Sequence, residues 1–264
     1  MTVPDPATPP WRRPLRQVNH ERAPWIYHLI ARFAQTVVPM VARRRWVGME
    51  NVPKEGPVIV VANHISNFDP IVMGEFLIWS GRWPRFLGKA DIWKVPVLGW
   101  IARQADQIPV HRGTTRAADS LVHAHEALKR GKLVAIYPEG TITGDPDVWP
   151  MSGRRGAARL ALDSGAPVIP VAQTGAHLIL GQKSLEFRKL FGRRRDVAVM
   201  AGPPIDLTPF QGRPRNPALL DEVTDLFLDV ITGMVAELRG EQPPEGRYDI
   251  RKGMRVPREP RADQ

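Results

Sequence analysis

The 264-residue chain contains no cysteine. That excludes disulfides, thiolate metal sites and a cysteine nucleophile, and it fits a reducing compartment. Acidic residues are in the minority: 27 Asp and Glu stand against 37 Lys and Arg, a formal net charge of +10. So basic a chain favours anionic partners, whether nucleic acid, an anionic membrane surface or a phosphorylated substrate. Composition alone does not choose among them. The apolar segment from Trp25 falls short of the roughly 20 clean residues a membrane span needs, and Arg32 interrupts it. The first twenty residues are Pro-rich and polar, so no signal peptide is expected there. There is no internal repeat, no Gly-x-Ser-x-Gly elbow and no recognised nucleic-acid-binding motif.

What is present reads as one α/β domain with a largely parallel or mixed sheet flanked by helices, plus an N-terminal amphipathic helical segment. Apolar runs predict strands over 57–62, 85–88, 107–110, 133–137, 167–172 and 196–201. Helices are predicted over 71–79, 115–130, 154–164 and 217–239, the last opened by a cap-then-proline start at Asn216-Pro217. Residues 1–22 read as an extended or disordered lead, and residues 241–264 as a weakly ordered tail. The catalytic unit is expected over 46–240.

Within 23–45, Trp25, Ile26, Leu29, Ile30, Phe33, Val37, Met40 and Val41 fall on one helical stripe, and Arg43-Arg44-Arg45 follow. This pattern fits an interfacial membrane helix, and equally an amphipathic helix packed on the core. Residues 89–104 crowd apolar side chains around Pro96 and Gly99, which suits either a groove for a hydrocarbon chain or a buried loop.

The most informative stretch is Asn63-His64-Ile65-Ser66-Asn67-Phe68-Asp69-Pro70. The β-branched run Val58–Ala62 delivers it to a loop, and Asp69-Pro70 reads as a helix cap and first turn. His64 and Asp69 then flank one tight strand-to-helix connection, where a carboxylate can orient an imidazole that takes a proton from a hydroxyl. A structural histidine with a plain cap remains the alternative for this stretch alone.

Three further blocks follow in order: Gln107-Ile108-Pro109-Val110-His111-Arg112, Tyr137-Pro138-Glu139-Gly140-Thr141 and Val168-Ile169-Pro170-Val171. With the His-x4-Asp block, and with Lys89-Ala90-Asp91-Ile92 ahead of the second, the chain resembles the glycerolipid acyltransferase family over about residues 45–205. That family includes the 1-acylglycerol-3-phosphate acyltransferases. The resemblance implies transfer of a fatty acyl group from acyl-CoA or acyl-carrier protein to a lysophospholipid hydroxyl, with lysophosphatidic acid giving phosphatidic acid. Another lysophospholipid or a glycolipid is the alternative acceptor. The resemblance further implies no cofactor and no metal, and a monotopic or peripheral place on the cytoplasmic face of the membrane. His64 and Asp69 would be catalytic, and Lys89, Arg112, Glu139, Gly140 and Thr141 substrate-binding.

One departure stands out. The family's third block continues with arginine, and here Thr141 is followed by Ile142. If the acceptor carries a phosphate, Arg112, then Lys89, then Arg154 and Arg155 are the candidates to hold it. Two rivals come from other classes. A basic nucleic-acid-binding protein fits the charge, and a hydrolase could use Ser66 as nucleophile.

Overall fold

The computed structural model describes residues 9–111, 117–182, 185–190 and 192–257. Arg112 therefore lies outside the described residues. Seven strands form one sheet: β1 (Ala42–Val47), β2 (Val58–Ala62), β3 (Pro84–Lys89), β4 (Ile108–Val110), β5 (Leu133–Ile136), β6 (Val168–Thr174) and β7 (Arg195–Ala201). Their spatial order is β1-β7-β6-β2-β5-β3-β4. From β6 to β4 every neighbouring pair is parallel. β7 is antiparallel to β6, and β1 is parallel to β7. The sheet is thus mixed, with its parallel part carrying the motif blocks.

β2 reads as an unbroken apolar run because both of its faces are covered. Val58, Val60 and Ala62 enter one hydrophobic core, and Ile59 and Val61 the other. That alternation is the period of two expected of a strand. The first core is closed by α2 (Trp25–Val41) and α3 (Asp69–Trp79). The second is closed by α5 (Ala117–Lys129), α6 (Gly156–Ser164) and α8 (Pro217–Arg239). α8 starts as its sequence predicts: the Asn216 side chain accepts from Leu219 N at 2.9 Å. The shorter helices are α1 (Leu15–Val18), α4 (Pro96–Gln104) and α7 (His177–Leu180).

The described residues toward both ends, 9–22 and 241–257, are more fixed than their composition implies. In the expected extended or disordered lead, the described residues 9–22 are docked instead. Trp11, Leu15 and Val18 pack against the core. The Asn19 side chain donates to Ile78 O, and the Glu21 carboxylate accepts from Trp83 N, Arg82, Arg85 and Lys132. In the expected weak tail, β8 (Arg247–Asp249) and β9 (Met254–Val256) form an antiparallel hairpin. Arg255 bridges it to Asp145 and Asp147, and Arg247 to Asp225 and Asp229.

The segment 23–45 also divides differently from its sequence pattern. α2 ends at Val41, and the three arginines lie in β1. Arg43 pairs with Asp196, Arg44 with the buried Glu75, and Arg45 donates to Leu238 O. They are tied to β7, α3 and α8 and do not form a free basic cluster. On α2, Ile26, Tyr27, Ala31, Ala34 and Val38 are buried, while Trp25, Leu29, Phe33 and Met40 are more than half exposed. Among the described residues no helix is long and apolar enough to cross a membrane.

Candidate active site

The site is built at the carboxyl ends of β2 and β5, beside β6. Asn63, the first residue past β2, is fully buried and locks that strand end to β6. Its Nδ2 donates to Gln173 O at 2.9 Å, and its Oδ1 accepts from Gln173 N at 2.9 Å. Gln173 Nε2 returns a bond to Asn63 O at 2.8 Å. His64 therefore leaves the sheet from a fixed point.

Three contacts set His64. Its backbone N–H donates to Glu139 Oε1 at 2.7 Å. Its Nδ1 lies 2.8 Å from Asp69 Oδ2. Its ring stacks on Tyr137, with centroids 4.2 Å apart and planes 15° from parallel. Asp69 is the first residue of α3, and its carboxylate turns back into the loop. The same Oδ2 accepts from Ile65 N at 2.5 Å and Ser66 N at 2.9 Å. It does not cap the helix as its sequence position suggests: Phe68 is the N-cap residue, and no side chain caps there. A carboxylate that only accepts requires the proton on Nδ1, which leaves the Nε2 lone pair free. His64 lines an open cleft of about 890 Å³, so that lone pair belongs to a group substrate can reach.

Glu139 is buried, and both its oxygens are used: Oε1 by His64 N and Oε2 by Met151 N at 3.0 Å. Burial pushes its carboxyl up to about 8, against the pull of those two backbone donors. Its side chain thus supports the loop and is not part of the cleft lining, whereas Gly140 and Thr141 of the same block are. Burial, with Asp69 nearby, holds the Tyr137 hydroxyl well above its usual range. Ser66 points inward as well. Its hydroxyl donates to Gly181 O at 2.8 Å and is fully buried, a poor position for a nucleophile.

A family model described as Acyltransferase matches residues 43–174. The chain belongs to the acyltransferase family. It is 32% identical, over 135 residues, to a chloroplastic 1-acyl-sn-glycerol-3-phosphate acyltransferase of Brassica napus. It is 34% identical, over 116 residues, to a lyso-ornithine lipid O-acyltransferase of Pseudomonas aeruginosa. These matches cover 50% and 44% of the chain, and only 38% and 42% of the respective relatives, so it aligns with less than half of either. The crystal structure of the 1-acyl-sn-glycerophosphate acyltransferase PlsC from Thermotoga maritima is similar with a TM-score of 0.61 and 25% identity. That likeness covers 83% of this chain and 82% of the other.

The cleft of this acyltransferase is lined by apolar and cationic side chains, with Asn67, Gln107 and Ser120 among its neutral polar ones. Phe86, Leu87, Ile92, Trp93, Ile136 and Leu121 are apolar. Lys89, Arg154, Arg155, Arg159 and Arg215 are cationic. Lys89, at the end of β3, is exposed and paired with Asp91 at 2.7 Å. Among the described residues no cluster of His, Asp or Glu could hold a metal ion. Of the residues expected from the sequence, His64, Lys89, Gly140 and Thr141 line the cleft, and Asp69 meets His64 behind it. Sequence reasoning missed Asn63, Tyr137 and Gln173, although Asn63 and Tyr137 stand inside the quoted blocks.

Proposed function

We propose that the chain transfers a fatty acyl group from an acyl thioester, acyl-CoA or acyl-carrier protein, to the free hydroxyl of a lysophospholipid, with lysophosphatidic acid as acceptor and phosphatidic acid as product. The observation that carries this reading is the His64–Asp69 pair at the wall of a cleft that is lined by both apolar and cationic side chains. His64 Nε2 takes the acceptor's hydroxyl proton as the oxygen attacks the thioester carbonyl. The C–S bond breaks, and the imidazolium returns the proton to the departing thiolate. Asp69 holds the tautomer and offsets the imidazolium charge. Thr141 and Ile142 lie on the turn lining the cleft. Their backbone N–H groups make no hydrogen bond among the described residues, and they are assigned to the tetrahedral oxyanion.

The exposed apolar face of α2 is proposed to rest on the bilayer that holds the acceptor. It continues onto α4, since the Trp25 and Trp100 rings meet at 6.0 Å and Val97 and Leu98 are exposed beside Trp100 in the sequence. Apolar side chains with tryptophan at a surface suit the interfacial region of a membrane. The site would then face the cytoplasmic leaflet, with the enzyme peripheral or monotopic.

The test is acyl transfer from acyl-CoA and from acyl-carrier protein to a panel of lysolipids, with products identified by mass. Phosphatidic acid as the main product supports the proposal. A preference for lyso-ornithine lipid would move the acceptor to that of the Pseudomonas aeruginosa relative. No acyl transfer to any lipid hydroxyl would overturn it.

A further inference from the structure

We infer that Arg154 holds a substrate phosphate in this cleft, in place of the cation that Ile142 does not supply; the inference rests on the acyl-transfer reading above. The cations that line the cleft differ in what already neutralises them. Lys89 is paired with Asp91, and Arg155 grips Asp221 through two bonds of 2.6 Å. Arg215 faces Asp163 at 3.7 Å and donates to Leu162 O. Arg154 and Arg159 are exposed, and among the described residues neither side chain has a hydrogen bond or a counter-ion. Cationic charge that the fold leaves uncompensated at a cleft wall is available to an anionic ligand.

Of the two, Arg154 is built into the catalytic turn. Its backbone N–H donates to Pro138 O at 2.8 Å. Its stem lies directly over Gly140: a Cβ there would stand 2.7 Å from Arg154 Cδ and 2.8 Å from Nε. Gly140 also has φ +72°, where a side chain is strained. Gly153, one residue before, is equally confined. A Cβ on it would meet Thr224 Cγ2 at 2.8 Å and Leu228 Cδ1 at 2.9 Å. Two glycines thus let the segment before α6 press down on the Pro138–Thr141 turn.

The same segment is fastened to the base. Glu139 accepts from His64 N with one oxygen and from Met151 N with the other, three residues before Arg154. Ser152 N donates to Tyr248 O in β8, so the C-terminal hairpin holds the segment from outside. Where the family's motif arginine follows Thr141 in sequence, this chain delivers an arginine to the same turn from twelve residues on. The guanidinium has the planar fork that grips phosphate oxygens in pairs.

Two substrates could present that phosphate, the acceptor headgroup or the phosphates of coenzyme A. The experiment compares wild type, Arg154→Gln, which keeps much of the stem over Gly140, and Arg154→Lys. kcat/KM is measured for lysophosphatidic acid and monoacylglycerol of equal chain length, each with acyl-CoA and with acyl-pantetheine. Loss of one charge-assisted contact should lower kcat/KM about 10- to 100-fold for the phosphate-bearing combinations only, with partial recovery in the lysine variant. A loss that follows the acceptor assigns the lipid headgroup, and one that follows the donor assigns coenzyme A; either supports a phosphate subsite. An equal loss in all four combinations, or none, overturns it. Calorimetric binding of short-chain lysophosphatidic acid and of coenzyme A needs no turnover. A wild type without transferase activity would defeat the proposed function, and undiminished binding by Arg154→Gln would separately defeat the subsite.

Discussion

Asp69→Asn isolates the charge at the dyad. One oxygen, Oδ2, accepts from His64 Nδ1, Ile65 N and Ser66 N, while Oδ1 is buried with no hydrogen-bond partner. An asparagine with its amide oxygen at the Oδ2 position keeps all three bonds. The reverse orientation would set an NH2 group against three donors. The tautomer and the loop should therefore survive, and only the negative charge is lost. A unit charge pair about 4 Å apart is worth about 4 kcal/mol at an effective dielectric near 20. Proton transfer is incomplete in the transition state, so about 2–4 kcal/mol of that is at stake, roughly 30- to 1000-fold in kcat. Asp69→Ala is the blunter change, because it orphans two buried N–H groups at about 1–3 kcal/mol each. The assay is thiol release from acyl-CoA followed with a thiol reagent, and the cysteine-free chain gives no background. Thermal unfolding checks that the variant is folded. A folded Asp69→Asn enzyme within threefold of wild type would refute the charge argument.

Glu139→Ala should both destabilise the fold and slow transfer, since it strips the acceptors from His64 N and Met151 N at about 1–3 kcal/mol for each orphaned donor; melting temperature and kcat measured together show whether the two losses coincide. Leu29→Asp combined with Phe33→Asp changes only exposed side chains, so it should weaken binding to anionic vesicles in a flotation assay while leaving transfer to a soluble short-chain acceptor within about twofold, as surface substitutions usually do. Glu75 gives a pH signature. Burial raises it from the usual 4.5 to about 7, against the pull of Arg44. Between those values the folded protein keeps a proton that the unfolded chain has lost, so stability should fall as pH rises through that window. Glu75→Gln should flatten the fall of melting temperature between pH 4.5 and 7; the slope should not vanish, because Glu139 is shifted the same way.

The parts of the fold legible in the sequence are those where one residue pattern has one physical cause. β2 is continuous and apolar because it is covered on both sides. α8 announces its start because Asn216 and Pro217 perform the cap and the first turn locally. β1 is hidden because it lies at the sheet edge: Arg43, Arg44 and Arg45 find partners in β7, α3 and α8, so three charges stand where a strand prediction looks for β-branched residues. Pro96, which reads as a break, opens α4. The anchoring of residues 9–22 and 241–257 was illegible because their partners are long-range. Arg255 reaches Asp145, and Glu21 reaches Lys132, across separations that no local pattern encodes.

The site was more legible than the fold around it, and the topology says why. β6, β2, β5, β3 and β4 are neighbours and all run in one direction. Their carboxyl ends open on one edge of the sheet, where α/β folds place ligands. Residues just past β2 and β5 therefore meet without long loops: His64 follows the first, and Tyr137 to Thr141 the second. Recognising blocks at strand ends was enough to single out His64, Asp69 and the Gly140-Thr141 turn, which the structure brings together. It was not enough to find the supports. The stacking of Tyr137 on His64 and the clasp of Asn63 on Gln173 depend on which strand lies beside which, and that order is set by packing. The same distinction governs the cations. Lys89, Arg154 and Arg155 are equivalent as letters. Only their neighbours separate them: Asp91 and Asp221 neutralise two, and two glycines seat the third, with no counter-ion among the described residues, on the Pro138–Thr141 turn.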